Sequence, residues 1–78
     1  MKIVYVDTAA ENEALSVAQN YIRNAYGIEE IDMYKQEIEY PLERYHLIGF
    51  CKETYYHKFL VDSIDMGQGK VKIIVSKL

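Results

Sequence analysis

Residues 43–59, ERYHLIGFCKETYYHKF, hold both histidines of this chain, its single cysteine and three of its eight tyrosines. The stretch reads either as a reactive or metal-binding cluster or as two strands of a β-hairpin with polar residues facing water. Folded tightly about Glu53-Thr54, it sets Phe50 opposite His57, Ile48 opposite Phe59 and His46 opposite Val61. Those six share one face, because side chains alternate along a strand with a period of two. A three- or five-residue loop around Gly67 to Gly69 then sets Val61 beside Val75 and Ser63 beside Ile73. An even loop would turn the last strand over. The odd loop is preferred because it gathers Val71, Ile73 and Val75 onto the same face.

In that register His46 and His57 lie diagonally apart at the inner face, and Cys51 points the other way. A metal centre needs three or four ligands converging at about 2.0–2.3 Å, and a nucleophilic cysteine needs a base within hydrogen-bond reach. Neither arrangement forms here. The hairpin reading is therefore taken, with Cys51 as a small hydrophobe and with no metal or cofactor expected.

Upstream, KIVYV (2–6) is a β-branched and aromatic run with the length of a strand. DTAAENEALSVAQNYIRNAYG (7–27) carries helix signals throughout. Thr8 and Glu11 have capping-box spacing, with Asp7 as a competing cap. Ala14, Leu15, Ala18, Tyr21, Ile22, Ala25 and Tyr26 recur at helical spacing on one face, and Gly27 stands where a left-handed C′ residue belongs. The small alanines let this helix lie close to a sheet. In the following IEEIDMYKQEIEY, Ile31 and Met33 are in phase and Ile38 is out of phase, which a bulge between them reconciles. Pro41 ends that strand, since it has no N–H for a ladder. MGQG marks the next turn, and KVKIIVSKL is the last strand. The expected fold is α+β in the order β-α-β-β-β, with one helix on one face of a mainly antiparallel sheet of four to five strands.

The 78 residues make one domain, half hydrophobic and 27% charged. A chain this short buries only about 60–65% of its unfolded surface, and one cysteine cannot staple it, so dimerisation is a plausible source of further burial. No stretch reads as a signal peptide or reaches the ~18 apolar residues of a membrane span, and a cytoplasmic protein is expected. A net charge of −3 argues against general binding to a phosphate backbone. No glycine-rich loop joins a strand to a helix, and Ser16, Ser63 and Ser76 occupy no strand-to-helix elbow. The run Glu29, Glu30, Asp32, Glu37, Glu39, Glu43 is what alternation on an exposed strand produces without any acid/base role. The chain reads as a binding protein, not an enzyme.

Two surfaces stand out. The face away from the helix is expected to hold Leu47, Cys51, Tyr56, Leu60, Ile64 and Ile74, more apolar than a solvated face requires. Tyr34, Glu37, Glu39 and Tyr45 mark an acidic, aromatic rim suited to a basic partner. The test residues are Tyr34, Glu37, Glu39, Tyr45, Tyr56, Leu60 and Ile74, and the leading expectation is a protein-binding module that forms a homodimer through the open sheet face. A second reading is an acidic inhibitor of a nucleic-acid-binding enzyme, whose carboxylates occupy a groove built for phosphates. Phage and mobile-element antagonists, anti-CRISPR proteins among them, share this size and composition, an analogy of type that no motif carries. A third is nucleic-acid binding through Lys2, Lys58, Lys70, Lys72 and Lys77 with aromatics to stack on, against which the surrounding acid weighs.

Overall fold

A computed structural model describes residues 1–51 and 55–78. Among them the order is β1 (Lys2–Ala10), a 3-10 turn (Glu11–Glu13), α1 (Ala14–Tyr26), β2 (Glu30–Glu39), β3 (Leu42–Phe50), β4 (Tyr56–Gly67) and β5 (Lys70–Lys77). The strands form one sheet in the order β1-β5-β4-β3-β2, antiparallel at every pairing. This is the α+β, β-α-β-β-β architecture the sequence predicts, with five strands.

The helix lies over β1, β5 and β4. Ala14, Ala18 and Ile22 turn inward and meet Phe59, Val61, Ile73 and Val75, all sealed from water. Their small side chains bring the helix backbone down onto the sheet, as the alanine spacing implies. Two tyrosines fix its flank to β1. Tyr5 and Tyr21 stack with ring centroids 4.2 Å apart, and the Tyr21 hydroxyl donates to the Val4 carbonyl at 3.0 Å. Gly27 ends α1 in the left-handed conformation at φ 63°, and Ile28 then passes beneath β3.

The helix begins later than its local signals suggest. Thr8 and Glu11 form no capping box, because β1 continues to Ala10 in register with β5, Thr8 opposite Lys72 and Ala10 opposite Lys70. The Glu11 amide donates to the Gly69 carbonyl at 2.9 Å, and no side chain caps either the 3-10 turn or α1. A non-local ladder supplies these backbone groups with partners that a side-chain cap would otherwise give. Asp7 instead accepts from its neighbours, the Tyr5 hydroxyl and the Thr8 amide.

The bulge in β2 falls at Tyr34, between Met33 paired with Leu47 and Lys35 paired with His46. It puts Ile31, Met33 and Ile38 on the helix side despite their broken phase. The turn into β5 keeps the odd register by a compound route. Gln68 and Gly69 both adopt positive φ, a two-residue hairpin turn, and a bulge between Asp65 and Gly67 adds the extra residue. Val61 pairs with Val75 and Ser63 with Ile73, as expected.

Strand β3 is turned over relative to expectation. Phe50 pairs with Tyr56, Ile48 with Lys58, Leu47 with Phe59 and His46 with Leu60, and the Cys51 amide donates to the Tyr55 carbonyl. The proposed turn residues Glu53 and Thr54 lie outside the described residues. The flip sends Tyr45, Leu47 and Cys51 to the helix side, and His46, Ile48 and Phe50 to the open side. Gly49 shows why this register wins: a Cβ there would sit 2.9 Å from Ile28 Cγ2. Only glycine lets Ile28 pack flat against β3, and that contact fixes which side of the strand faces inward.

Candidate protein-binding face and acidic pocket

The open side of the sheet follows from the register alone. One row across it runs Val6, Ile74, Asp62, Arg44, Glu37, and the next runs Ile3, Ser76, Leu60, His46, Lys35. Tyr56, Phe50 and Ile48 extend the apolar part toward one end. Val6 is 51% exposed, Tyr34 51% and Tyr56 54%, and Ile3 is also open to solvent. Leu60, only 8% exposed, forms the packed centre beneath its neighbours. Leu47 and Cys51 do not belong to this face: Leu47 is core, and Cys51 packs against the core with its thiol 4.0 Å from the Tyr26 carbonyl.

Arg44, Asp62, Glu37, His46 and Lys35 on this face are held by one another. Arg44 Nε donates to Asp62 Oδ1 at 2.7 Å and Nη2 to Oδ2 at 3.0 Å, a bidentate pair across β3 and β4. The Asp62 hydrogen bonds raise the Arg44 pKa above its ordinary value. Glu37 lies 3.1 Å from His46 Nε2 and 3.4 Å from Lys35 Nζ, and these bonds, His46 first, hold its carboxyl below the usual range. Tyr34 tilts against His46, and Lys58 Nζ lies 5.7 Å from the Tyr34 ring centroid. The bulge at Tyr34 brings Glu30, Asp32, Glu37 and Glu39 to the same side of β2.

Six of the seven residues singled out from sequence therefore share one surface: Tyr34, Glu37, Glu39, Tyr56, Leu60 and Ile74. The rim and the open face are continuous. Tyr45 is the exception, on the helix side opposite Val61. Ile3, Val6, Ile48 and Phe50 join the face and were not anticipated there. The signal for Ile48 and Phe50 was Gly49, whose missing side chain marks the inner side of β3.

The chain matches no family model, no curated protein and no solved structure.

His57 faces the helix side among Tyr26, Tyr55 and Phe59, with centroids 5.8, 5.5 and 6.3 Å away. It thus shares a side with Cys51, contrary to the expected register, and His46 lies on the opposite side from both. Among the described residues no three His, Cys, Asp or Glu side chains are grouped to hold a metal ion. No helix among them is long and apolar enough to cross a membrane.

A second concavity opens on the helix side, past the start of α1. It measures about 110 Å³ and is lined by Glu11, Glu43, Tyr45, Ser63 and Asp65 together with Ile38, the β2–β3 turn and Val71. The Tyr45 hydroxyl donates to Glu43 Oε2 at 2.5 Å. Burial first, then this bond and the charges of Glu43 and Glu11, push the Tyr45 phenol up to about 12.

Proposed function

We propose that this chain is a protein-binding module that self-associates through the open face of its sheet. The observation that carries the reading is the apolar group of Ile3, Val6, Ile74, Ile48 and Tyr56 around the packed Leu60, on the sheet face that no helix among the described residues covers. The helix supplies one covering layer, and a sheet with two apolar faces calls for a second. Five strands about 4.8 Å apart and eight residues at about 3.3 Å give roughly 600 Å² of flat face. With side-chain relief, that approaches the ~800 Å² per partner of a standard interface. The Arg44–Asp62 pair is internally matched, so it can be covered without leaving a lone charge buried.

Two exposed positions test this. Val6→Arg and Tyr56→Arg put a charge where a partner would sit, and both side chains are free to extend into water in a monomer. Leu60→Arg is a poorer probe, since Leu60 is packed within the monomer. A wild-type mass near twice 9.1 kDa, falling to one chain in both variants with unchanged circular dichroism, supports the reading.

The inhibitor reading keeps one specific support, the row of Glu30, Asp32, Glu37 and Glu39 on one side of an exposed edge strand. The same charges have a plainer role in keeping an edge strand from pairing with another chain. Binding of a basic partner that is indifferent to salt would count against mimicry of a phosphate backbone.

A further inference from the structure

The open face carries its charge unevenly from one edge to the other. On β2, at one edge, Glu30, Asp32, Glu37 and Glu39 lie on this side with Lys35 as the one cation among them. On β5, beside the other edge, Lys70 and Lys72 lie on it, because Val71 and Ile73 between and beyond them are sealed on the helix side. No acidic residue of β5 or β1 joins them there. With Arg44, Lys58 and Asp62 included, the two signs balance on this face among the described residues, although the whole chain carries −3.

One row shows the consequence. Thr8, Lys72, Ile64, Leu42 and Glu39 follow one another across β1, β5, β4, β3 and β2. Lys72 and Glu39 stand three strand spacings apart, about 14 Å, too far to pair within one chain. Both are exposed, and among the described residues neither has an ion-pair partner. Glu37, by contrast, is already held by His46 and Lys35.

A two-fold axis can stack two copies of this face in two ways. An axis across the strands lays each strand over its own copy, so β2 meets β2 and carboxylates face carboxylates, which is repulsive. An axis along the strands reverses their order instead. With the middle strand, β4, on that axis, all five strands overlap. Then β2 lies over β1 of the second copy, and β5 lies over β3. The row of Lys72 and Glu39 meets itself reversed, with Ile64 facing Ile64. Lys72 comes one strand spacing from Glu39 of the second copy, across sheets ~10 Å apart. An extended lysine and glutamate close that distance together. The charged residues of β4 that approach their own copies near the axis are engaged within each chain. Asp62 holds Arg44 at 2.7 and 3.0 Å, and Lys58 stands 5.7 Å from the Tyr34 ring centroid.

We propose that two copies dock with their strand orders reversed, β2 over β1, so that Lys72 of each chain pairs with Glu39 of the other on either side of an Ile64–Ile64 contact. The proposal rests on self-association through the open face and adds its orientation. It also gives the reason a second copy fits: the face is its own electrostatic complement.

The test is light scattering over a concentration series for Lys72→Glu, Glu39→Lys and their equimolar mixture. Both side chains are exposed, so circular dichroism should match the wild type. Each variant alone sets like charges against each other at both symmetric contacts, and should dissociate about tenfold more readily than the wild type. The mixture should recover the wild-type dimer, because in a mixed pair both contacts again join opposite charges. Raising the salt should shrink these differences. Tighter association of Glu39→Lys, with Lys72→Glu unchanged, would assign the axis across the strands and overturn the proposal. A mixture no more dimeric than either variant alone would overturn it as well. In both cases a wild-type dimer that Tyr56→Arg breaks leaves the sheet-face reading standing, whereas a wild type that is monomeric at every concentration removes both.

Discussion

On the helix side of the sheet, Phe59, Val61, Ile73 and Val75 are sealed beneath Ala14, Ala18 and Ile22, whereas on the other side Val6, Tyr34 and Tyr56 keep half their surface in water. The same strands build both faces, so strand propensity does not distinguish them. The covered face is finished within one chain. Its apolar groups touch one another, and Gly49 removes a side chain so that Ile28 fits. The open face sets Leu60 and Ile74 beside the matched Arg44–Asp62 pair on its inner strands, with Lys35 and Glu37 along the β2 edge. Burial by the chain's own helix accounts for one face, and under the self-association proposal a second copy covers the other.

The largest break in this contrast comes from the covered side. Phe59→Ala should cost about 3–5 kcal/mol, a large part of the ~4–12 kcal/mol expected for a chain of this length. Chemical denaturation would then show a chain near the edge of unfolding.

Gly49→Ala sharpens the contrast, because it adds one methyl to the covered face alone. With the built Cβ 2.9 Å from Ile28 Cγ2, a branched methyl with little freedom to move, the cost should be about 1–3 kcal/mol. A neutral result would mean that β3 does not present residue 49 to the helix side, and the register with it would fall.

A smaller effect is expected at Tyr45, which links the covered face to the acidic pocket. Its phenol is raised from the ordinary value near 10 to about 12. A raised pKa favours the protonated form in the folded chain, so its stabilising contribution is complete below pH ~10 and is lost as pH rises through ~12. Tyr45→Phe should lose less stability than wild type over that window, and ultraviolet titration should lose one late-titrating tyrosine.

The smallest effect on stability belongs to the open face. Val6→Arg and Tyr56→Arg should each change the folding free energy of the monomer by no more than about 0.5 kcal/mol, while abolishing self-association.

The sequence made legible those elements whose local signals agree with long-range pairing. Ala14, Ala18, Ile22 and Gly27 define the helix and its end, and the broken phase of Ile31, Met33 and Ile38 announces the bulge at Tyr34. The β-branched run Val71, Ile73, Val75 fixes the last register. Strand β3 was illegible for a definite reason: Leu47 and Ile48 are adjacent and both apolar, so alternation gives no contrast between its two sides. The helix start was misjudged because Thr8 and Glu11 satisfy a local rule that pairing with β5 overrides. Most of the candidate face survived the flip of β3, since Tyr56, Leu60 and Ile74 lie on strands whose facing was read correctly. Tyr45, on the flipped strand, moved to the other side.

The most direct test of the two-faced account is light scattering over a concentration series for the wild type and Tyr56→Arg. The account predicts a wild-type mass approaching twice 9.1 kDa and a folded single-chain mass for the variant. A wild type that stays at one chain at every concentration, or a Tyr56→Arg variant that dimerises as before, would contradict it.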